Sequence, residues 1–217
     1  MAANRTGDSA DHLSERLSVC YSGALHDTLR ELGRTNCVLP SDIQPLDPAH
    51  KLAGRVFTMD GHFDPASTAM SPCFAGPSSC RALRPIASFS ASRMIRPSPI
   101  WASSPPRRCN IVDGGCRDTG FILNMGFPVF CRYLTPRDVV GVWVPDRFGE
   151  PIDIGGIAIE TGDYVFGNRD GVVIIPADVA EQSVSHVEKM MQTENLVRKA
   201  ILAGMDPKEA YLKFGKF

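Results

Sequence analysis

The chain has 217 residues, 43% of them hydrophobic, and a formal net charge of −1 at neutral pH. These totals describe an ordinary soluble globule, long enough for one well-cored domain over residues 1–217 or for two small ones, and they hold no basic excess that would call for nucleic acid. No apolar run approaches the roughly 20 residues of a membrane span, and the polar opening "MAANRTGDSADHLSERL" lacks a signal-peptide core, so no membrane and a cytoplasmic location are expected.

In chain order, "LSERLSVCYSGALHDTLRELG" predicts one helix over residues 13–33, with Leu25, Leu29 and Leu32 on a buried face and Gly33 as a left-handed stop. "CVLPSDIQPLDP" reads as a Pro-punctuated connection, and "KLAGRVFTMDG" as a strand. "FPVFCRYL" and "VVGVWVP" are β-rich. "DYVFGNRDGVVIIP" predicts two short strands joined at "GNRDG", a hairpin in preference to an anion-binding turn, with Asp163 and Asp170 as turn residues. After Pro176, Asp178 is placed to cap a long helix whose apolar stripe is Val184, Val187, Met191, Leu196 and Ile201. "DPKEAYLKF" predicts a last helix with Pro207 in its first turn.

Seven cysteines (Cys20, Cys37, Cys73, Cys80, Cys109, Cys116, Cys131) form no C-x-x-C pair, and their number is odd. Free thiols fit this better than a zinc ribbon or a complete disulfide framework. His26 lies beside Asp27 on the first helix and reads as a packed or solvated residue rather than a base.

The run "IVDGGCRDTGFILNMGF" is the best candidate for chemistry. Ile111 and Val112 end a short strand, Gly114 and Gly115 permit a tight turn, and Arg117 and Asp118 emerge before a helix carrying Phe121, Ile122 and Met125. Asp118 is a hard ligand suited to Mg²⁺ or Mn²⁺, and the planar guanidinium of Arg117 suits a carboxylate. The competing reading has Asp118 capping the helix while Arg117 pairs with a neighbouring acid.

Residues 71–110 are discordant, with nine Ser, seven Pro and six Arg but no Asp, Glu or Lys. A Ser/Pro/Arg linker is one reading. Phe89, Ile95, Ile100 and Trp101 among the prolines speak against it, as does the length of such a loop.

The stretches "SGALHDTLRELG", "IQPLDPAHKLAGRVFTM", "IVDGGCRDTGFILNMGFPVFCRYLTPRD" and "GDYVFGNRDGVVIIP" resemble the regulator-of-ribonuclease-activity-A-like family. That family includes the 4-hydroxy-4-methyl-2-oxoglutarate aldolases and was formerly grouped with dimethylmenaquinone methyltransferases. The likeness covers most of residues 20–65 and nearly all of 111–177. It implies an α/β fold, a swivelling β/β/α sandwich with a barrel-like β core and flanking N- and C-terminal helices, assembled as homotrimers or hexamers with sites at subunit interfaces. It also implies a divalent-metal-dependent lyase that cleaves short α-keto acids to pyruvate and decarboxylates oxaloacetate, with Asp118 on the metal and Arg117 on the substrate. The family's ribonuclease regulators imply the other possibility, a non-catalytic chain that binds a partner enzyme.

The resemblance also bears on the discordant segment. The family fills this place with a helix, a strand, a Gly-Glu-Leu loop whose backbone N–H groups complete the pyruvate pocket, and another helix. Reading residues 69–110 one nucleotide earlier, with synonymous codons, permits an amphipathic helix, the apolar run "SVLLCQP" and "HMGELTS". The segment is therefore expected to be the right DNA in the wrong frame, in the gene or in its recorded sequence.

Overall fold

The computed structural model describes residues 8–63, 89–97, 110–137 and 143–214. Its architecture is mixed α/β. Two N-terminal helices, α1 (Asp8–Ser18) and α2 (Ser22–Glu31), precede the strands β1 (Gln44–Pro45), β2 (Leu52–Phe63), β3 (Phe89–Pro97) and β4 (Asn110–Cys116). The short helix α3 (Thr119–Asn124) leads to β5 (Val129–Leu134), β6 (Trp143–Phe148), the pair β7 (Ile152–Ile154) and β8 (Ile157–Ile159), and the pair β9 (Tyr164–Asn168) and β10 (Gly171–Ile175). Helices α4 (Ala180–Leu202) and α5 (Pro207–Phe214) follow.

Strands run in the order β1-β5-β4-β3-β2-β9-β10, with β6 on the far half of β2. Long β2 is the hinge of this arrangement: Leu52–Arg55 pair with β9, and Met59–Phe63 pair with β6. Strand β4 pairs in parallel with β5 through α3, and the remaining neighbours are antiparallel.

The alternation of buried residues explains the layers. In β10, Val172 and Ile174 face a core shared with Phe130, Ile111, Val165 and the β7–β8 isoleucines. Val173 and Ile175 face the helical layer of Leu13, Leu17, Leu25, Leu29, Val184 and Val187. A strand covered on both sides has to be apolar at every position, which is why "GVVII" is a continuous run. A third cluster (Met59, Val112, Cys116, Ile122, Val129, Cys131) lies under α3.

The expected barrel-like core is corrected to an open sheet: among the described residues the ladder does not close. Strand β1 has two residues, one of them Pro45, which has no N–H to extend an edge. The gap between the two edges is spanned by residues 37–45. Leu39 donates to Val172 O and Ile174 to Cys37 O (2.9 and 2.8 Å), Val38 bridges Val173, and Gln44–Pro45 then reach β5.

Other expectations are adjusted locally. The predicted 13–33 helix is two helices, broken at residues 19–21, where Tyr21 is extended (φ −135°, ψ 152°) and the Ser18 hydroxyl has turned back to Glu15 O. Gly33 ends α2 as predicted, at φ 76°, and Arg34 N–H donates to Leu29 O, the closing bond of a Schellman motif. Asp178 does not cap α4; its carboxylate accepts from Arg34 at 2.6 Å, and Val179 holds the cap position without a side-chain bond. On α4, Leu196 is exposed and Val197 is buried instead, because the last turns leave the sheet and pack on α5 through Ala210. The hairpin at "GNRDG" forms as predicted, with Asn168 paired to Gly171 and the Asp170 carboxylate accepting from Asn168. Pro207 opens α5, where Asp206 accepts from the backbone of Lys208 and Glu209.

Strand β3 falls within the discordant segment and occupies the slot between β2 and β4. The rest of that segment, residues 69–88 and 98–109, lies outside the described residues.

Candidate functional site

The predicted Gly-Gly turn is instead part of a strand. Strand β4 continues through Gly114 and Gly115 to Cys116, with a bulge where Val112 to Gly115 face only Cys131 to Tyr133. Gly115 lies under an aromatic ring: a Cβ there would stand 2.5 Å from Tyr133 Cε2 and 2.7 Å from Thr135 Cγ2. The glycine permits close packing. Gly115→Ala is expected to cost about 1–2 kcal/mol by pushing the ring out, read as a lower melting temperature, and a second change Tyr133→Ala should return most of it.

The chain turns at Asp118, the one described non-glycine residue at positive φ (56°, ψ 32°). Asp tolerates this left-handed region better than most residues. Asp118 sits at the N-cap of α3, and its side chain makes no cap hydrogen bond. Its carbonyl accepts from Phe121 and Ile122, and its Oδ2 accepts from Arg117 Nε at 3.0 Å. The structure thus brings the two predicted site residues together, with 26% of the Arg117 side chain and 40% of the Asp118 side chain exposed. Both readings of this pair leave a trace: Arg117 does pair with an acid, and that acid is not spent on the helix.

Below the pair, Cys116 and Cys131 are buried free thiols. Their mutual hydrogen bond, then burial, holds the Cys116 thiol well above its ordinary range, so it serves as neutral packing. Cys20 and Cys37 are likewise buried and unpaired to each other, and burial raises both, Cys20 to about 11. His26 is a surface residue, 3.5 Å from Asp27.

Among the described residues no group of three or more His, Cys, Asp or Glu is placed to hold a metal ion. Asp118 offers a carboxylate beside Arg117. One carboxylate fits an ion that keeps most of its water, as Mg²⁺ does, and does not fit a closed structural site.

Sequence reading missed three side-chain groups that the topology assembles. Arg132 of β5 pairs with Asp113 of β4 and, bidentately at 2.5 Å, with Asp42 in the 37–45 crossing. Arg147 of β6 pairs with the buried Asp60 of β2. His62 of β2 pairs through Nδ1 with Asp146 Oδ2 at 2.7 Å. One signal was available: the strand predicted over "KLAGRVFTMDG" ends at Gly61, and its continuation to Phe63 puts Asp60 and His62 two apart on one strand.

The RraA-like family model, described as Aldolase/RraA, matches residues 108–174, a span that contains Arg117, Asp118 and the β9–β10 hairpin. Over that span the chain is similar to the RraA-like family. A relative from Halalkalibacterium halodurans, provisionally named 4-hydroxy-4-methyl-2-oxoglutarate aldolase, is 30% identical over 103 residues, 48% of this chain and 49% of its own. The chain spans about half the length of the curated relatives it matches. Among solved structures, RraAS2 of Streptomyces coelicolor, an unusual member of the RNase ES inhibitor RraA protein family, superposes with a TM-score of 0.62 at 20% identity, covering 87% of this chain and 97% of its own. A structure described as novel cellulases from gut-associated microbes gives 0.67 at 22%, covering 90% of each chain. At these identities the solved structures establish a shared fold. No described helix is long and apolar enough to cross a membrane.

Proposed function

We propose that this RraA-like chain is a metal-dependent carbon–carbon lyase acting on short α-keto acids, with 4-hydroxy-4-methyl-2-oxoglutarate as the substrate type and oxaloacetate decarboxylation as a second activity. The observation that carries this is the Arg117–Asp118 pair at the end of β4, held at a backbone position that leaves the Asp118 carboxylate clear of helix capping. The aldolase-named relative supports the same reading.

Both reactions break a bond to C3 of an α-keto acid and leave a pyruvate enolate. Arg117 would turn its planar guanidinium toward the substrate carboxylate beside Asp118, fixing the keto group over the end of β4. The guanidinium then lies beside the oxygen on which negative charge grows, where a fixed cation is worth most. Asp118 would hold a divalent cation, Mg²⁺ or Mn²⁺, which supplies Lewis-acid stabilisation of that charge when bound. The homotrimer or hexamer of the resemblance belongs to this proposal as well. The Gly-Glu-Leu loop, which would complete the pocket, is missing from the printed sequence.

The test is pyruvate release from 4-hydroxy-4-methyl-2-oxoglutarate and from oxaloacetate with Mg²⁺. Turnover above the metal-only rate is expected, and pyruvate no faster than with Mg²⁺ alone would overturn the reading.

A second reading, regulation of a partner enzyme such as a ribonuclease, is favoured by exposed Phe121, Leu123, Met125, Tyr133 and Leu134 on α3 and the end of β5, apolar groups that a protein partner could cover. Inhibition of a ribonuclease that survives Asp118→Asn would decide for it.

A further inference from the structure

We infer that His62 is the acid–base residue of the lyase reaction, its imidazole oriented by Asp146. The inference rests on the proposed lyase reading and names the group that moves the proton.

The placement follows from strand register. Strand β2 runs antiparallel to β3, with Asp60 opposite Arg93, and β3 runs antiparallel to β4, with Ala91 opposite Gly114 and Phe89 opposite Cys116. The far ends of β2 and β4 therefore meet the same end of the sheet, with one strand between them. Two strand spacings separate His62 from β4, roughly 10 Å. Arg117 and Asp118 follow directly at that end of β4. A six-carbon keto diacid held by Arg117 extends back from the end of β4 toward β2, and the imidazole itself reaches several ångströms from its backbone.

The hydrogen bonding supplies the chemistry. With Nδ1 bound to Asp146 Oδ2 at 2.7 Å, Nε2 remains for solvent or substrate, and the side chain is 55% exposed. A carboxylate on one ring nitrogen fixes the orientation of the ring and leaves the other nitrogen to exchange a proton with substrate. The neighbouring charges are already matched: the Asp60 carboxylate accepts from Arg147 and from Gly61 N–H, and Asp113 accepts from Arg132. Asp146 is thus the acid that faces the ring, and Arg117 with Asp118 form the charged pair at the same end.

In the cleavage, neutral Nε2 accepts the proton of the C4 hydroxyl as the C3–C4 bond breaks. The C4–O bond becomes a carbonyl, the bond's electron pair forms the enolate of the first pyruvate, and the second pyruvate departs. The imidazolium then returns the same proton to C3, so one keto acid yields two pyruvates with no external oxidant or reductant. In oxaloacetate decarboxylation only the second half applies, and the imidazolium protonates the enolate left by CO₂.

The experiment compares the full chain with its His62→Gln, Asp146→Asn and Asp118→Asn variants. For His62→Gln, kcat is expected to fall at least ~100-fold with KM within about twofold, the imidazole limb of the kcat–pH profile to vanish, and added imidazole to restore part of the rate. Asp146→Asn, which leaves the ring less firmly oriented, should give a smaller loss of kcat. Independently of turnover, saturating oxalate with Mg²⁺ should move the His62 ring NMR signals in the parent and not in Arg117→Ala. An unchanged kcat and pH limb in His62→Gln, with turnover abolished in Asp118→Asn, would overturn the role of His62 and leave the lyase reading standing. If neither variant loses activity, both fall.

Discussion

Asp118→Asn is expected to lower kcat/KM for oxaloacetate by about 10³, close to 4 kcal/mol of transition-state stabilisation, while leaving the melting temperature within a few degrees. Two structural facts separate these effects. The residue stands at φ 56°, a conformation that Asn adopts as readily as Asp, so the turn between β4 and α3 survives. Its side chain makes no cap hydrogen bond to α3, so the helix loses nothing local when the charge goes. What disappears is the one carboxylate that both anchors Arg117 Nε and would hold a divalent cation. Asp118→Ala would be the poorer variant, because alanine is strained at this φ and would mix folding with function. Steady-state kinetics beside a thermal melt resolve the question: a large loss in both would assign Asp118 to the fold, and a loss in neither would remove it from the site.

The parts of the fold that were legible in the sequence are those decided by local pattern. "GVVII" and "YVFGN" announce strands buried on both faces, and "GNRDG" announces the turn between them. Gly33 and Pro207 mark helix ends because their backbone preferences hold in any surroundings. The misses have tertiary causes. Gly115 reads as a turn residue, and only the position of Tyr133 on the neighbouring strand reveals a close-packing role. Asp178 reads as a cap, and only the arrival of Arg34 from α2 draws it away. The site divides in the same way. Arg117 and Asp118 are adjacent in sequence and could be paired by reading alone. His62, Asp146, Asp60, Arg147, Asp113, Arg132 and Asp42 come from strands and a crossing whose order in the sheet is not written in any one stretch of sequence.

Replacing residues 69–110 by the neighbouring-frame reading is expected to convert a broad thermal transition into a cooperative one at higher temperature and to raise oxaloacetate turnover by at least ~100-fold. The sheet gives this expectation a basis beyond composition. Strand β3 pairs with both β2 and β4 in the interior of the strand order. Strands β9 and β10, paired inside the same strand order, are apolar at nearly every position. The printed β3 is "FSASRMIRP", with two Ser, two Arg and a Pro. The neighbouring frame puts "SVLLCQP" at almost the same place, with the apolar run Val-Leu-Leu-Cys in place of the two Arg. A sequence whose local choices contradict its place in the fold has a shallow energy gap, and native domains are stable by only about 5–15 kcal/mol, so one mismatched interior strand is a large fraction of the total. The same substitution brings in the Gly-Glu-Leu loop, whose backbone donors would bind a pyruvate oxygen that Arg117 alone leaves partly exposed. Removing one such donor elsewhere typically costs 10²–10³ in rate, which sets the size of the expected gain. Circular dichroism melts and pyruvate release, measured on both chains, decide the matter. Equal cooperativity and equal turnover would mean that the printed β3 is the true strand and that the pocket is completed by other groups.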